Sequence, residues 1–363
     1  MNHMRLLIIL TLVALASSCK EKPFELPEDQ PIEHESVIMQ EFIYGLENAP
    51  TLEAHASTVE KSNGTVVASW FGGTKEKNKD VGIWVSRKTN DHWSTPIEVV
   101  NGLQPDGVTR YACWNPVLFK QKNGPLYLYY KVGPSPQEWW GLYMTSEDDG
   151  ASWSEPIRLA EGILGPIKNQ PITLENGDVL SPSSTETTSG DWTIHVESSS
   201  DSLKTWASTP PLNNPLKFGA IQPVIFNHGQ GRLQLLSRTK NEVVTENWSS
   251  DYGKTWSDME ATKLPNPNSG IDGVSLLDGR HLLVYNPNGK NWGDRVPLSI
   301  GISTDGKEWK RVLDLEPLRE STDKEREEYS YPTVIQAKDG LVHIVYTWNR
   351  KTVKYVVLDP AKL

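Results

Sequence analysis

The stretch Ser146-Glu147-Asp148-Asp149-Gly150-Ala151-Ser152-Trp153 decides the fold, because its pattern returns along the chain. In such a turn the aspartate accepts hydrogen bonds from backbone N–H groups, the glycine adopts a positive φ and the tryptophan packs between sheets. The pattern therefore predicts a structural repeat and not a catalytic motif. One further full copy and three degraded copies occupy residues 249–256, 199–206, 303–309 and 86–93.

A second repeat, made of tight turns, lies out of phase with the first. Its glycines are 48 to 61 residues apart, and each is followed by an alternating strand pattern such as that of residues 126–130. Turns of this kind join antiparallel strands. Six such units predict an all-β chain, a six-bladed β-propeller with four-stranded antiparallel blades. The turns are Asn63-Gly64, Asn123-Gly124, Asn176-Gly177, Gly229-Gln230-Gly231, Asp278-Gly279 and Asp339-Gly340.

The first residues have the features of an export signal. Arg5 precedes an apolar run that is too short to span a bilayer, and small residues lead up to Cys19. This order predicts a lipoprotein signal peptide at residues 1–18 with the lipid on Cys19; the alternative is a plain secretory signal with an incidental cysteine. We expect residues 19–35 to form a solvated tether and residues 36–363 the propeller. The protein would then be lipid-anchored in a bacterial cell envelope, at the outer membrane, facing the periplasm or the cell surface.

The amino-acid composition limits the classes of partner and cofactor that the protein is expected to bind. The net charge of −10 argues against nucleic acid, since phosphate binding needs a basic patch. Once Cys19 carries a lipid, Cys113 is the only thiol, so no internal disulfide can form. The histidines lack the spacing of a metal site, and we expect neither a metal nor another cofactor.

The two repeats together resemble the sialidase superfamily, whose six-bladed propellers carry these Asp-box, or BNR, repeats. The resemblance covers residues 53–358 and marks the chain as a divergent bacterial lipoprotein member. It implies that Tyr331 corresponds to the nucleophilic tyrosine and Asp80 to the acid/base aspartate. It also implies that Arg238 and Arg295 are two of the three arginines that bind the substrate carboxylate.

In a propeller, the start of each innermost strand delivers side chains to a pocket on the central axis. The residues nine positions before the turn glycines are mostly polar: His55, Asn115, Lys168, Gln222, Gly270 and Tyr331. Loops at the starts of blades are where a rigid scaffold carries chemistry. Three residues of the neighbouring segments, Trp114, Asn268 and Tyr329, are further candidates for substrate binding.

Two positions depart from the sialidase pattern. His55 stands where an Arg-Ile-Pro motif is expected, and Gln222 stands where a glutamate primes the tyrosine. An amide cannot take a proton from tyrosine, so sialic acid hydrolysis is compromised. Arginines that neutralise a uronate carboxylate would instead favour removal of its α-proton. We therefore predict β-elimination, by a lyase or a dehydratase, at the non-reducing end of an acidic oligosaccharide.

In this prediction Arg238 and Arg295 hold the carboxylate, helped by Gln222 or Asn115. Tyr331 or His55 is the base, and the other delivers a proton to the leaving oxygen. Two alternatives stay open. One is an exo-acting, sialidase-like hydrolase with Asp80 as acid and Glu186 as its partner; the other is an inactive surface lipoprotein that binds glycans.

Overall fold

The computed structural model describes residues 26–318 and 327–363, so the predicted signal peptide and Cys19 lie outside the described residues. Six antiparallel sheets follow one another along this part of the chain. The prediction of an all-β, six-bladed propeller is confirmed. Helix is confined, in the described ranges, to two 3₁₀ turns, Leu46–Asn48 and Pro360–Lys362.

The first three blades follow the N-terminal strand β1 (Val37–Phe42). Blade one consists of β2 (Glu53–Ser62), β3 (Thr65–Gly73), β4 (Gly82–Thr89), β5 (His92–Trp93) and β6 (Ile97–Asn101). β5 and β6 both pair with β4, so together they serve as the outermost strand. Blade two consists of β7 (Ala112–Lys120), β8 (Leu126–Gly133), β9 (Trp140–Ser146) and β10 (Ile157–Arg158). Blade three consists of β11 (Ile172–Thr173), β12 (Val179–Glu186), β13 (Trp192–Ser199) and β14 (Ala207–Ser208).

The last three blades have the same up-and-down order. Blade four consists of β15 (Ala220–Asn227), β16 (Leu233–Thr239), β17 (Val243–Ser249) and β18 (Glu260–Pro265). Blade five consists of β19 (Asp272–Ser275), β20 (His281–Tyr285), β21 (Leu298–Ser303) and β22 (Lys310–Glu316). Blade six consists of β23 (Tyr329–Gln336), β24 (Val342–Trp348), β25 (Thr352–Leu358) and β1, which closes the ring by pairing with β25.

The six predicted turns each join the first and second strands of a blade. All of them therefore lie at one end of the propeller axis. The innermost strands begin at the opposite end, which also carries the connections between second and third strands and between successive blades. We call this opposite end the cavity face, because the charged cavity described below opens there.

The Asp-boxes are structural turns between third and fourth strands. Ser146 Oγ donates to Asp148 Oδ1 (2.8 Å) and accepts from the amide of Gly150, whose φ is +82°. Asp148 also accepts from the Ser152 side chain and amide, and these hydrogen bonds lower its pKa to about 2. The hydrogen bonds of the Asp148 carboxylate therefore stabilise its own loop.

Part of the predicted tether packs on the propeller. Leu26 and Ile32 contact the apolar cluster of blades five and six. The ammonium of Lys354, which is fully buried, pairs with Asp29 and with Glu316. A buried cation needs such partners, which explains why an otherwise polar segment is held in place. Residues 19–25 of the predicted tether lie outside the described residues.

Candidate active site

A cavity of about 270 Å³ opens on the axis at the cavity face. Its walls combine aromatic rings with groups of both charges. The cationic and acidic members come from five of the six blades. They are Lys77, Arg238, Arg295, Arg350, Glu76 and Glu186, beside the ring residues Trp114, Trp139, Trp192, Trp292, His55 and Tyr331.

Bulges at the starts of four innermost strands aim side chains at this cavity. The strand register shifts between His55 and Thr58 in β2, and at the matching places of β7, β15 and β23. Each shift contains a residue in the left-handed region: Ala56, Asn115, Gln222 and Tyr331, with φ between 38° and 54°. Such a backbone costs roughly 1 kcal/mol or more for a residue with a bulky side chain. Bulges of this kind re-aim side chains and cluster at functional sites.

Arg238 is bound by its neighbours on every side. Nε and Nη2 donate to Asn268, at 3.1 Å and 2.8 Å to Oδ1 and 2.7 Å to the carbonyl. Nη1 donates to Gln222 Oε1 (3.2 Å) and to Tyr331 Oη (2.8 Å). All of its N–H donors are therefore occupied by the protein. The guanidinium faces the tyrosine oxygen and is not free to receive a carboxylate.

His55 lies against the face of Tyr331, with ring centroids 4.2 Å apart. Its Nδ1 is 3.0 Å from Thr347 Oγ1. Burial, followed by the positive charge of Arg350, holds the pKa of His55 well below its usual range. The imidazole is therefore neutral near pH 7, a state in which one ring nitrogen donates and the other accepts a hydrogen bond.

A carboxylate clamp joins two other arginines of the cavity. Glu328 accepts from Arg295 Nη1 and from Arg350 Nε, both at 2.8 Å. Arg350 also donates through Nη1 to Glu76 at 2.7 Å. Burial of Glu328 opposes ionisation, but these guanidinium groups hold its pKa well below the usual range. Among the described residues, no acceptor contacts Nε or Nη2 of Arg295 or Nη2 of Arg350, so these donors are available to an anion.

Glu186 is the other carboxyl group on the cavity wall. It ends β12, and Gln137 Nε2 donates to it at 3.4 Å. Burial raises its pKa, although Arg238 and Lys240 oppose the shift. A carboxyl group with a raised pKa keeps its proton closer to neutral pH and is suited to act as an acid.

Lys168 lies beneath the cavity floor and does not line it. Its Nζ donates to the carbonyls of Pro332 (2.6 Å) and Ile271 (3.1 Å) and to Asn169 Oδ1 (2.8 Å). It also lies 5.9 Å from the ring centroid of Tyr331. Burial lowers the pKa of Lys168 to about 8. The side chain therefore ties blades three, five and six together below the tyrosine.

The remaining predicted site residues fall into two groups. Trp114, Asn115 and Gln222 line the cavity, whereas Asn268 reaches it only through Arg238. Tyr329 is fully buried and donates to Glu327 at 3.0 Å, away from the cavity. Asp80 is exposed and outside the cavity, because both its oxygens accept from Thr74 within its own loop.

Metal and membrane features give no further assignment. Within residues 26–318 and 327–363, no group of three or more His, Cys, Asp or Glu side chains is arranged to hold a metal ion. The same ranges contain no helix long and apolar enough to cross a membrane. Cys113 is a buried free thiol.

The family model for the BNR repeat-like domain matches residues 64–344. The chain belongs to this family. No curated protein sequence matches it. The match runs from the glycine of the first turn to beyond the sixth turn and includes the Asp-boxes, and it agrees with the sialidase-superfamily resemblance predicted from the sequence.

Solved structures place this BNR repeat-like propeller among sialidases in fold. A protein of unknown function from Dyadobacter fermentans is 18% identical with a TM-score of 0.69, covering 89% of this chain and 98% of its own. The Hadza microbial sialidase Hz136 is 16% identical with a TM-score of 0.73, covering 90% of this chain and 69% of its own. The NanB sialidase from Streptococcus pneumoniae is 13% identical with a TM-score of 0.66, covering 93% and 72%. At these identities the likeness shows the fold alone, and the resemblance to the sialidase superfamily is confirmed at that level.

Sequence reasoning missed several cavity residues of this BNR repeat-like protein. Arg350 and Glu76 lie on connections between second and third strands, not at the starts of innermost strands. The strand order predicted from the sequence could have indicated both residues, because connections between second and third strands lie on the same face as the bulged residues. Glu328 directly precedes β23, and only its contacts with the two arginines reveal it.

Proposed function

We propose that the protein is a carbohydrate-active enzyme that acts on the non-reducing end of a uronic-acid-containing oligosaccharide by β-elimination. The observation that carries the proposal is the surrounding of Tyr331 Oη. It accepts from Arg238, whose Nη1 also contacts the amide of Gln222 where a glutamate would prime a nucleophile. A phenolate oxygen paired with a guanidinium suits a base that takes a proton from carbon.

The substrate carboxylate is assigned to Arg295 and Arg350. Glu328 accepts from both guanidinium groups and fixes them, and each arginine keeps N–H donors that no described residue occupies. Planar guanidinium groups match carboxylate geometry and neutralise its charge. Neutralising the carboxylate acidifies the proton on the neighbouring carbon, because the transition state carries charge on the carboxylate oxygens. With Arg295 and Arg350 assigned to the carboxylate, Arg238 pairs with the base, Tyr331.

In the proposed reaction, the phenolate of Tyr331 removes the proton from C5 of the uronate. The electron pair of the C5–H bond forms the C4=C5 double bond, and the C4–O bond breaks. The leaving oxygen takes that bond's electrons and receives a proton from Glu186. His55, whose ring centroid lies 4.2 Å from that of Tyr331, stays neutral and packs against the base. Before the next turnover the phenol of Tyr331 releases its proton to solvent in the open cavity, and Glu186 takes up a proton from solvent. Expulsion of a sugar makes the enzyme a lyase; expulsion of the 4-hydroxyl as water makes it a dehydratase.

Incubation of the protein with uronate-terminated oligosaccharides in H₂¹⁸O tests this reaction. Elimination produces the ultraviolet absorption of an unsaturated uronate and places no ¹⁸O on the anomeric carbon. Hydrolysis gives no such absorption and places one ¹⁸O there, which would favour the sialidase-like exo-hydrolase. Saturable binding of the oligosaccharides with neither product would indicate a glycan-binding protein and refute both enzymes.

We also propose that the chain is lipidated at Cys19 and anchored in the bacterial cell envelope. The apolar run after Arg5 and the small residues before Cys19 support this. Metabolic labelling with a palmitate analogue tests it. The label should be incorporated into the wild-type chain and lost in Cys19→Ser, and label that persists in Cys19→Ser would contradict the assignment.

A further inference from the structure

The exposed apolar side chains are concentrated at one end of the propeller. In the part of the chain that the structure describes, Leu277 and Tyr252 are the large apolar residues exposed at the turn end, and three others lie on outer strands. The cavity face carries more, all on connections that surround the cavity. They are Leu46, Leu52, Leu103, Val108, Leu216, Trp292 and Leu318.

These side chains are well exposed and come from five different connections. Leu216 is 90% exposed and Val108 is 85% exposed, so they contribute little to the core. Scattered single apolar residues on a surface are ordinary, but their gathering on one face marks an interaction surface. The face therefore has an apolar rim around a charged, polar centre.

The N-terminal segment arrives at this same face. Leu26 lies in a groove beside Leu46, Leu52, Thr74 and Lys351, all of which belong to cavity-face connections. Cys19 is seven residues earlier in the chain. Even fully extended, seven residues span at most about 25 Å. The blade-one strands beside this groove, Glu53–Ser62 and Thr65–Gly73, are ten and nine residues long and span about 30–33 Å between the two faces, to which the turns add. A seven-residue segment that starts at Leu26 on the cavity face therefore does not reach past the turn end, and the turn end cannot rest on a bilayer that holds Cys19.

We infer that the cavity face docks on a lipid surface, with the apolar rim in the interface and the cavity opening toward the membrane. We identify the bilayer as the binding partner of this face, because the short chain between Cys19 and Leu26 keeps the face next to the lipid. Lys75 and Lys79, exposed in the loop after β3, suit anionic headgroups, although Glu47 and Asp80 lie nearby. The inference rests on the proposed lipidation and not on the proposed reaction. It would direct the enzyme to glycan ends held close to the membrane.

Site-specific fluorophores test the orientation. Full-length lipidated protein is reconstituted in vesicles of phosphatidylethanolamine and phosphatidylglycerol, with and without doxyl-labelled lipid. Leu216→Cys and Val108→Cys carry the probe on the cavity face, and Leu277→Cys carries it at the turn end as the matched control. Burial raises the pKa of the Cys113 thiol and keeps it unreactive, so each variant is labelled at one place.

Doxyl lipid should quench the probes at positions 216 and 108 by about half or more and leave the probe at 277 unchanged. Equal quenching at all three positions, or quenching at 277 alone, would overturn the orientation. Vesicle-bound protein with no quenching at 216 or 108 would also overturn it and would assign the rim to a protein partner. Turnover is not a readout, so failure of the proposed reaction leaves this test unaffected.

Discussion

Nη1 of Arg238 donates a 2.8 Å hydrogen bond to Oη of Tyr331, although the two residues belong to blades four and six. The guanidinium carbon also lies 5.7 Å from the tyrosine ring centroid. This pairing separates the arginines by task. In the proposed reaction Arg238 pairs with the base, Tyr331, and the N–H donors of Arg295 and Arg350 that no described residue occupies bind the substrate carboxylate.

Tyr331→Phe removes the atom that takes the proton but leaves the ring against His55. We expect turnover to fall by about 10²–10⁴-fold with substrate affinity nearly unchanged, as for loss of a general base. Tyr329→Phe is the matched control. It removes a hydroxyl that lies outside the cavity on Glu327, so it should cost about 1 kcal/mol of unfolding free energy and leave turnover intact. Equal loss of turnover in both variants would refute the role of Tyr331.

Arg350→Gln removes one of the two proposed carboxylate donors. We expect KM for a uronate substrate to rise by about tenfold or more, since a charged hydrogen bond of 1.5–3 kcal/mol is lost. The methyl ester of the same substrate should be affected far less. Arg280→Gln, which removes an arginine bound to Asp278 at the turn end, is the control and should change neither KM. Identical losses for acid and ester would contradict the assignment.

Glu186→Gln tests the acid that protonates the leaving oxygen. Burial raises the pKa of Glu186, so the protonated form persists above the pH at which an ordinary glutamate ionises. Activity that needs this proton should decline as the pH rises through the raised pKa. In Glu186→Gln the decline should vanish together with most of the turnover, while a substrate with a good leaving group should lose little. A pH profile unchanged by the substitution would exclude Glu186 as the acid.

Gly270→Ala probes the packing between Lys168 and Tyr331. An added Cβ would lie 2.8 Å from Lys168 Cε and 3.4 Å from Tyr331 Cδ2. Because three acceptors hold the lysine, we expect a loss of about 1–3 kcal/mol in unfolding free energy and lower turnover. Gly289→Ala, where the nearest atom is 3.6 Å away, should be close to neutral. In a Lys168→Ala background the cost of Gly270→Ala should shrink, and a double-mutant cycle without coupling would contradict the proposed contact.

The sequence by itself determined the architecture. Turn glycines, Asp-boxes and alternating strands are local features, since each hairpin is encoded within about twenty residues. Counting them therefore predicted six blades, and it placed His55, Asn115, Gln222 and Tyr331 at the starts of innermost strands. The bulged register of those strands was not encoded in the spacing. The left-handed residue lies nine positions before the turn glycine in blades two, four and six, but it is Ala56, one residue after His55, in blade one.

Only the tertiary structure decided which groups meet. Arg350 and Glu76 are 274 residues apart and touch because their connections share one face of a closed ring. Asp80 accepts hydrogen bonds from Thr74 in its own loop, and Lys168 donates to backbone carbonyls below Tyr331. These local hydrogen-bond partners, and not the position of each residue along the chain, determine where the two side chains lie. Periodicity specifies where a strand begins, but the direction of a side chain depends on bulges and on neighbours from other blades. The fold was therefore readable from the repeats, and the chemistry of the cavity was not.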